Sequence, residues 1–312
     1  MSKIKLRLGS WIVAMLICGS VAAVGAQEAL AFVIEVEGKA TVVRQGKESE
    51  VADTGSQLFA GDALEVAEGS AELIYLSGRS AKVEAGQTHR VEEGKEPSSA
   101  LVGRVMETLG EIAGPQGAGS GPVVHGMARD LAGLNGALPA NCLLTHGDFS
   151  FTWDPLEEVE EYEFTLETPE GEVLATKRVE STDLAATSLA LQPGKRYVWQ
   201  VMETGSFLPR NSGKSWIEIT ATEKQEKLRK SIEEIEKLFG GDNLTMLKAA
   251  VLYEAGYHYE AERLLVGLHK KRKLSKLEQQ LLMGTYAMME RWDRLPAPKE
   301  KAEQPSEPPE GE

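Results

Sequence analysis

The sequence predicts a multidomain chain, mainly β followed by α: a small β-domain, a β-sandwich and a short helical bundle. Three observations predict it. Between Ala31 and Val91, short apolar alternations are punctuated by glycine turns. Between Phe149 and Thr220, a second series of alternating stretches is rich in aromatics. At Thr222 the apolar period lengthens from that of a strand to that of a helix. The 312 residues, 42% hydrophobic and 26% charged, suffice for about two domains on length alone.

The N-terminus reads as an export leader. Lys3, Lys5 and Arg7 form a basic start, and an apolar run from Trp11 to Ala26 follows, closed by Gln27-Glu28. That run is shorter than the roughly 20 apolar residues of a spanning helix. Val24-Gly25-Ala26 offers modest side chains where a signal peptidase cuts, so 1–26 is expected to be a signal peptide and Gln27 the mature start. An uncleaved signal anchor is the alternative. Leu16 and Ile17, rather than small residues, precede Cys18, which argues against lipidation there. Cys142 is then alone in the mature chain, unable to form an internal disulfide, and is expected to be a small buried hydrophobe.

In 27–98, Phe32, Ile34 and Val36 alternate with Val33, Glu35 and Glu37, and Gly38-Lys39 reads as a turn. Gly61-Asp62 turns into a strand with Leu64 and Val66, and Glu68-Gly69 turns into "AELIYL". That run is apolar on both faces and so central. Ser77-Gly78-Arg79 turns into Ala81, Val83 and Ala85. Residues 99–145 are expected to be a Gly-rich linker. "LVGRVMETLGEIAG" suits a short helix, but "GPQGAGSGP" is a flexible composition and nothing specifies a core.

In 146–221, Phe149, Phe151 and Trp153 alternate, as do Tyr162, Phe164 and Leu166, then Tyr197, Trp199 and Val201. Turns at Pro169-Glu170-Gly171 and Pro193-Gly194 separate them, and "SWIEIT" closes a small two-sheet sandwich. Residues 222–295 are helical. Thr222 and Gln225, and again Ser275 and Glu278, form capping-box patterns. Leu228, Ile232, Ile235 and Phe239 lie on one stripe before Gly240-Gly241, and an antiparallel helix pair turns at Gly256. The tail, 296–312, has no apolar residue beyond alanine and is expected to be disordered. Each unit is expected to build its own small core.

"GKATVVR", "LFAGDALEV" and "SAELIYLSGRSAKV" resemble the FecR-like domain of bacterial envelope proteins. The resemblance implies a small β-domain outside the cytoplasm, periplasmic or secreted. Members best known for regulating iron-uptake signalling carry a cytoplasmic segment that touches a sigma factor. Only about ten residues precede the apolar run here, too few for a folded segment, so fold and compartment carry over and sigma-factor control does not. "FTWDP", "EYEFTLET" and "LQPGKRYVWQV" look like a fibronectin type III-like sandwich, with Trp153 and Trp199 as core tryptophans. Residues 244 to 268 are similar to a tetratricopeptide unit, with Gly256, Ala261 and Leu265 as turn glycine, small packing residue and large apolar residue. A period of 34 carries Leu247 to Leu281 and Leu252 to Tyr286, giving one and a half units.

Candidate chemistry is sparse. Asp62 beside Gly61 supplies turn geometry and lacks a partner carboxylate or histidine at a useful spacing. His89, His125, His146, His258 and His269 match no zinc pattern, and "THGD" at 145–148 brings no nucleophile. "NSGKS" at 211–215 ends like a phosphate loop, but Leu208 stands where the motif needs glycine, and strand rather than helix follows. "EEVEEYE" at 157–163 lacks the alternating ligands of a calcium loop and reads as a solvated strand edge. "HKKRKLSK" at 269–276 complements the end of the preceding helix. Met283, Met288 and Met289 read as core packing.

No catalytic, cofactor-binding or metal-binding residue is therefore assigned, and no cofactor is expected. The net charge of −14, or −17 without the leader's three cations, argues against nucleic acid. The expected function is a non-catalytic periplasmic binding or scaffolding protein that engages an envelope protein or glycan, with no stable membrane span once the leader is removed. The alternative is an envelope signalling component.

Overall fold

The computed structural model describes residues 29–44, 46–92, 99–113, 134–145, 149–291 and 294. The expected signal peptide, the "GPQGAGSGP" stretch, His125, His146 and the tail lie outside the described residues. The architecture is multidomain-like, with several β-sheets and then helices. Among the described residues no helix is long and apolar enough to cross a membrane.

The first unit is a six-stranded antiparallel sheet of β1 (Ala31–Val43), β2 (Glu50–Val51), β3 (Gln57–Leu58), β4 (Ala63–Tyr75), β5 (Ser80–Glu84) and β6 (Thr88–Arg90). The turns expected at Gly38-Lys39 and Glu68-Gly69 are absent. Both strands run straight through those positions, and Gly38 pairs with Gly69 across the ladder. Both glycines have positive φ, 98° and 79°. A Cβ on Gly69 would lie 1.8 Å from the Glu37 carbonyl oxygen, and one on Gly38 would lie 2.2 Å from that of Glu68. The pair therefore bends a long ribbon, with a bulge beside it at Lys39/Ala40. Glycine permits a reversal and a close approach equally well, which is why the two look alike in sequence.

Bent in this way, the sheet encloses Val33, Val42, Leu58, Leu64, Leu73 and Val83. Its outer face presents Phe32, Ile34, Ile74 and Leu76 to the helices. The two-faced "AELIYL" is buried on both sides, as expected of a central strand.

Residues 99–145 are not simply a linker. Helix α1 (Ala100–Ala113) buries Leu101, Val102, Val105, Met106 and Leu109, a stripe at helical spacing. Cβ positions on Gly103 and Gly110 would lie at ordinary contact distance, 4.0 Å from Leu76 Cδ1 and 3.5 Å from the Gly55 carbonyl oxygen, so the helix packs here without requiring glycine. At the other end of the segment, β7 (Cys142–Leu144) belongs to the next sheet.

That sheet follows the order β10 (Val173–Val179), β9 (Tyr162–Glu167), β12 (Lys195–Glu203), β13 (Ser215–Ile219), β7, and packs on a two-stranded sheet of β8 (Ser150–Thr152) and β11 (Asp183–Ala185). Strand β7 runs parallel to β13. Aromatic side chains fill the space between the sheets. Phe164 and Trp199 stack with centroids 5.7 Å apart, and Phe151 meets Trp199 edge-on at 4.9 Å. "EEVEEYE" is not a strand edge. Residues 157–161 form a loop, and β9 is an inner strand between β10 and β12. Glu161 accepts from the Thr204 hydroxyl at 3.1 Å.

The helices are α2 (Thr222–Leu238), α3 (Gly241–Glu254), α4 (His258–His269) and α5 (Lys276–Met288). The Ser275–Glu278 capping box forms, with Glu278 N–H donating to Ser275 Oγ at 3.3 Å and Ser275 N–H to Glu278 Oε2 at 2.8 Å. The Thr222–Gln225 box does not. Ala221 is the N-cap, so Thr222 lies inside the helix, and Gln225 Nε2 instead donates to the Thr220 carbonyl at 2.7 Å.

The cores are not separate either. One apolar cluster joins the outer face of the first sheet to α1 and to residues from all four later helices. Tyr259 of α4 and Met289 join the sandwich core. An apolar side chain offered on a second face is buried wherever another unit can cover it.

Candidate functional site

A cleft of about 910 Å³ lies between the first sheet and the helices. Alternation along β1 and β4 builds one wall. Glu35 lies directly opposite Glu72 across the ladder, with Glu37 beside them. Like charges facing each other on adjacent strands repel. Burial first, then Glu37 and Glu72, raise the Glu35 carboxyl above its usual range, and Arg272 opposes them. Asn243 Nδ2 donates to Glu72 Oε1 at 3.0 Å.

The facing wall carries Arg272 and Lys273 from the α4–α5 connection and Lys276 from the start of α5. The run "HKKRKLSK" does more there than complement a helix end. Arg272 grips the buried Glu278 with two bonds of 2.8 and 2.7 Å and also donates to the Lys273 carbonyl. The cleft thus offers carboxylates on one side and ammonium groups on the other. This arrangement suits an extended polar ligand bearing both charges. No motif marks these glutamates in the sequence. The available signal was their shared face, but their partner Glu72 becomes visible only once β1 is registered on β4.

Two apolar features lie on the sandwich. A groove of about 520 Å³ runs beside β10, lined by Leu166, Leu174, Ala175, Leu189 and Tyr197 with Lys195 and Arg196 at its rim. At the far end of β12, the loop to β13 exposes Phe207 at 97% and Leu208 at 79%. Two large apolar residues between Gly205 and Pro209 were legible as an anomaly in a turn.

The remaining candidates take structural places. Asp62 is buried, and its Oδ2 accepts from Phe59 N–H at 2.9 Å, with Arg44 Nε at 3.4 Å. This is turn chemistry with an added cation. His89 Nε2 lies 2.6 Å from the Tyr75 hydroxyl. Lys214 of "NSGKS" pairs with Glu167 at 2.5 Å, and β13 follows it. Cys142 is buried and free, and burial together with Glu260 holds its thiol well above the usual range. Met289 is fully buried, whereas Met283 and Met288 are exposed at their helix surface. Among the described residues, no group of three His, Cys, Asp or Glu side chains is placed to hold a metal ion.

His258 gives a pH prediction. It is buried against Tyr253, its Nδ1 has no partner, and burial lowers its pKa to about 4 from 6.5. Between those values the unfolded chain binds the extra proton, so stability falls as pH falls through that window. Glu260 has the opposite sign. Burial raises its pKa, so protonation favours the folded state as pH falls. Between about pH 7.5 and 4.5, His258→Phe is expected to lose about 2 kcal/mol less stability than the unsubstituted chain in urea unfolding. Identical losses would refute the assignment.

No family model matches the chain, and no curated protein matches it. Among solved structures, it is weakly similar to a two-domain fibronectin type III segment of chicken tenascin, at 11% identity and TM-score 0.22, over 61% of this chain and 91% of that one. The fibronectin domains FN1–FN3 of chicken CNTN1 match at 12% identity and TM-score 0.22, over 62% and 64% of the two chains. A β-1,2-glucanase from Parabacteroides distasonis matches at 9% identity and TM-score 0.24, over 78% and 39%. Fold likeness at these scores carries no activity across.

Proposed function

We propose that this chain is an exported, non-catalytic binding or scaffolding protein of the bacterial envelope, whose partner is an envelope protein or glycan. The supporting observation is the continuous core. Helices α1 to α5 share one apolar cluster with the first sheet, and Tyr259 and Met289 enter the sandwich. Two β-units are thereby held on one frame that presents a charged cleft and an apolar loop tip. The finer identities, a FecR-like first unit and a tetratricopeptide-like helical region, rest on the residue patterns "LFAGDALEV" and Gly256, Ala261 and Leu265.

A photo-crosslinking residue at Phe207 in the exported chain tests the binding reading. One discrete envelope protein or glycan adduct, weakened at least about tenfold by Leu208→Asp, is expected of an apolar anchor. Diffuse labelling indifferent to Leu208 would count against it. Mass spectrometry of the N-terminus separates the alternative: a start at Gln27 fits an exported scaffold, and a retained Met1 favours an anchored signalling component.

A further inference from the structure

We propose that the cleft between the first sheet and the α4–α5 connection binds a short peptide with both ends free, its ammonium on Glu35, Glu37 and Glu72 and its carboxylate on Lys273 and Lys276. The proposal goes beyond the scaffolding reading and uses no residue of the Phe207 loop.

Each wall holds charge that the chain leaves uncompensated. Glu35 and Glu72 face each other across the ladder, and Glu37 follows on the same strand. Carboxylates so placed repel, and a cation between them turns that cost into attraction. The sheet does not bring one. Lys82 lies opposite Glu72 on β5, but its ammonium bonds Glu84 at 3.2 Å. Asn243 gives Glu72 only an uncharged amide donor, at 3.0 Å. On the other wall, Lys273 and Lys276 are exposed and make no ion pair with any described residue. The walls are close enough to act on each other, since Arg272 and Glu278 both influence the Glu35 carboxyl.

The lining selects the ligand. A simple anion meets three carboxylates, and a simple cation meets the lysines, so the occupant carries both charges. No aromatic ring lines the cleft. A nucleobase therefore has nothing to stack on, and a quaternary ammonium has no cage. Between the charged walls, Asn243, Gln279 and the Gly240–Gly241 backbone bring amide groups suited to peptide bonds, while Ile34, Met246 and Leu274 offer apolar contact to small side chains. A cleft of about 910 Å³ exceeds the needs of one amino acid, and three extended residues span about 10 Å.

The probes are alanine peptides of two to five residues, each with both ends free, N-acetylated, C-amidated or blocked at both ends. They are titrated by NMR into the isotopically labelled chain as exported. At least one free-ended length is expected to bind with a Kd of about 0.1–1 mM, and blocking either end is expected to weaken it about tenfold. Glu35→Gln should weaken the free peptide about tenfold yet leave the N-acetylated one unchanged, because the same contact is lost only once. K273Q/K276Q should do the same for the C-amidated form. Near-UV circular dichroism confirms that each variant is folded. The proposal is overturned if no free-ended peptide binds below about 10 mM, if the doubly blocked form binds as well, or if the substitutions fail to match the blocked ends. Photo-crosslinking at Phe207 succeeds or fails independently of these results, so the two readings are separable.

Discussion

Gly69→Ala is expected to destabilise the first β-unit by about 3–4 kcal/mol, near the upper end for a single substitution. Two costs add. The residue sits at φ 79°, where a side chain costs about 1–2 kcal/mol. Its new Cβ would also lie 1.8 Å from the Glu37 carbonyl oxygen and 3.3 Å from Gly38 Cα. Backbone that is hydrogen-bonded into a ladder cannot swing aside as a flexible side chain can, so β1 and β4 would have to separate at the bend. Gly86→Ala is the control. Gly86 also has positive φ, 77°, but a Cβ there meets nothing within 4 Å, so only the conformational cost of about 1 kcal/mol remains. Urea unfolding of both variants, followed by far-UV circular dichroism, reads the difference. Equal losses would mean that the bend does not depend on the close approach.

Trp199→Ala is expected to cost about 4 kcal/mol. Trp199 is 1% exposed, stacks on Phe164 and meets Phe151 edge-on. Its Nε1–H donates to the Pro139 carbonyl at 2.9 Å. Removing the indole leaves a cavity between the sheets and a carbonyl without its donor. Trp199→Phe keeps most of the packing and is expected to cost about 1–2 kcal/mol. Because Tyr259 and Met289 share this core, the alanine variant should also speed amide exchange in α4. Exchange changes confined to the sandwich would show that the helices and sandwich unfold independently.

Much of the local structure was legible. Alternation placed the sandwich strands, because an apolar residue at every second position has one face to bury. The Ser275 box and the Asp62 turn were readable because the partners lie within three residues, where the chain brings them together without help. Arg44, which closes on Asp62 from 18 residues away, was not. Glycine was the main source of error. In Gly38 and Gly69 it marked a bend rather than two turns. A missing side chain records that backbone must pass closely, but not which backbone.

The candidate surfaces divide the same way. Phe207 and Leu208 carry a signal in the sequence that went unread, since apolar residues in a Gly–Pro turn have no core of their own to enter. The facing walls of the cleft do not, since Glu35, Glu72 and Arg272 meet only after a sheet and a helical turn are packed together.

By itself, the amino-acid order determined the strand-then-helix sequence, the acidic surface and which stretches carry apolar stripes. These follow from periodicity and charge within a few residues. Tertiary structure alone decided that the units share a core, that β10 is left as the open edge, and that acid faces base across the cleft. Burial of a second apolar face and pairing between distant strands depend on what is brought alongside, and neighbouring residues carry no record of that.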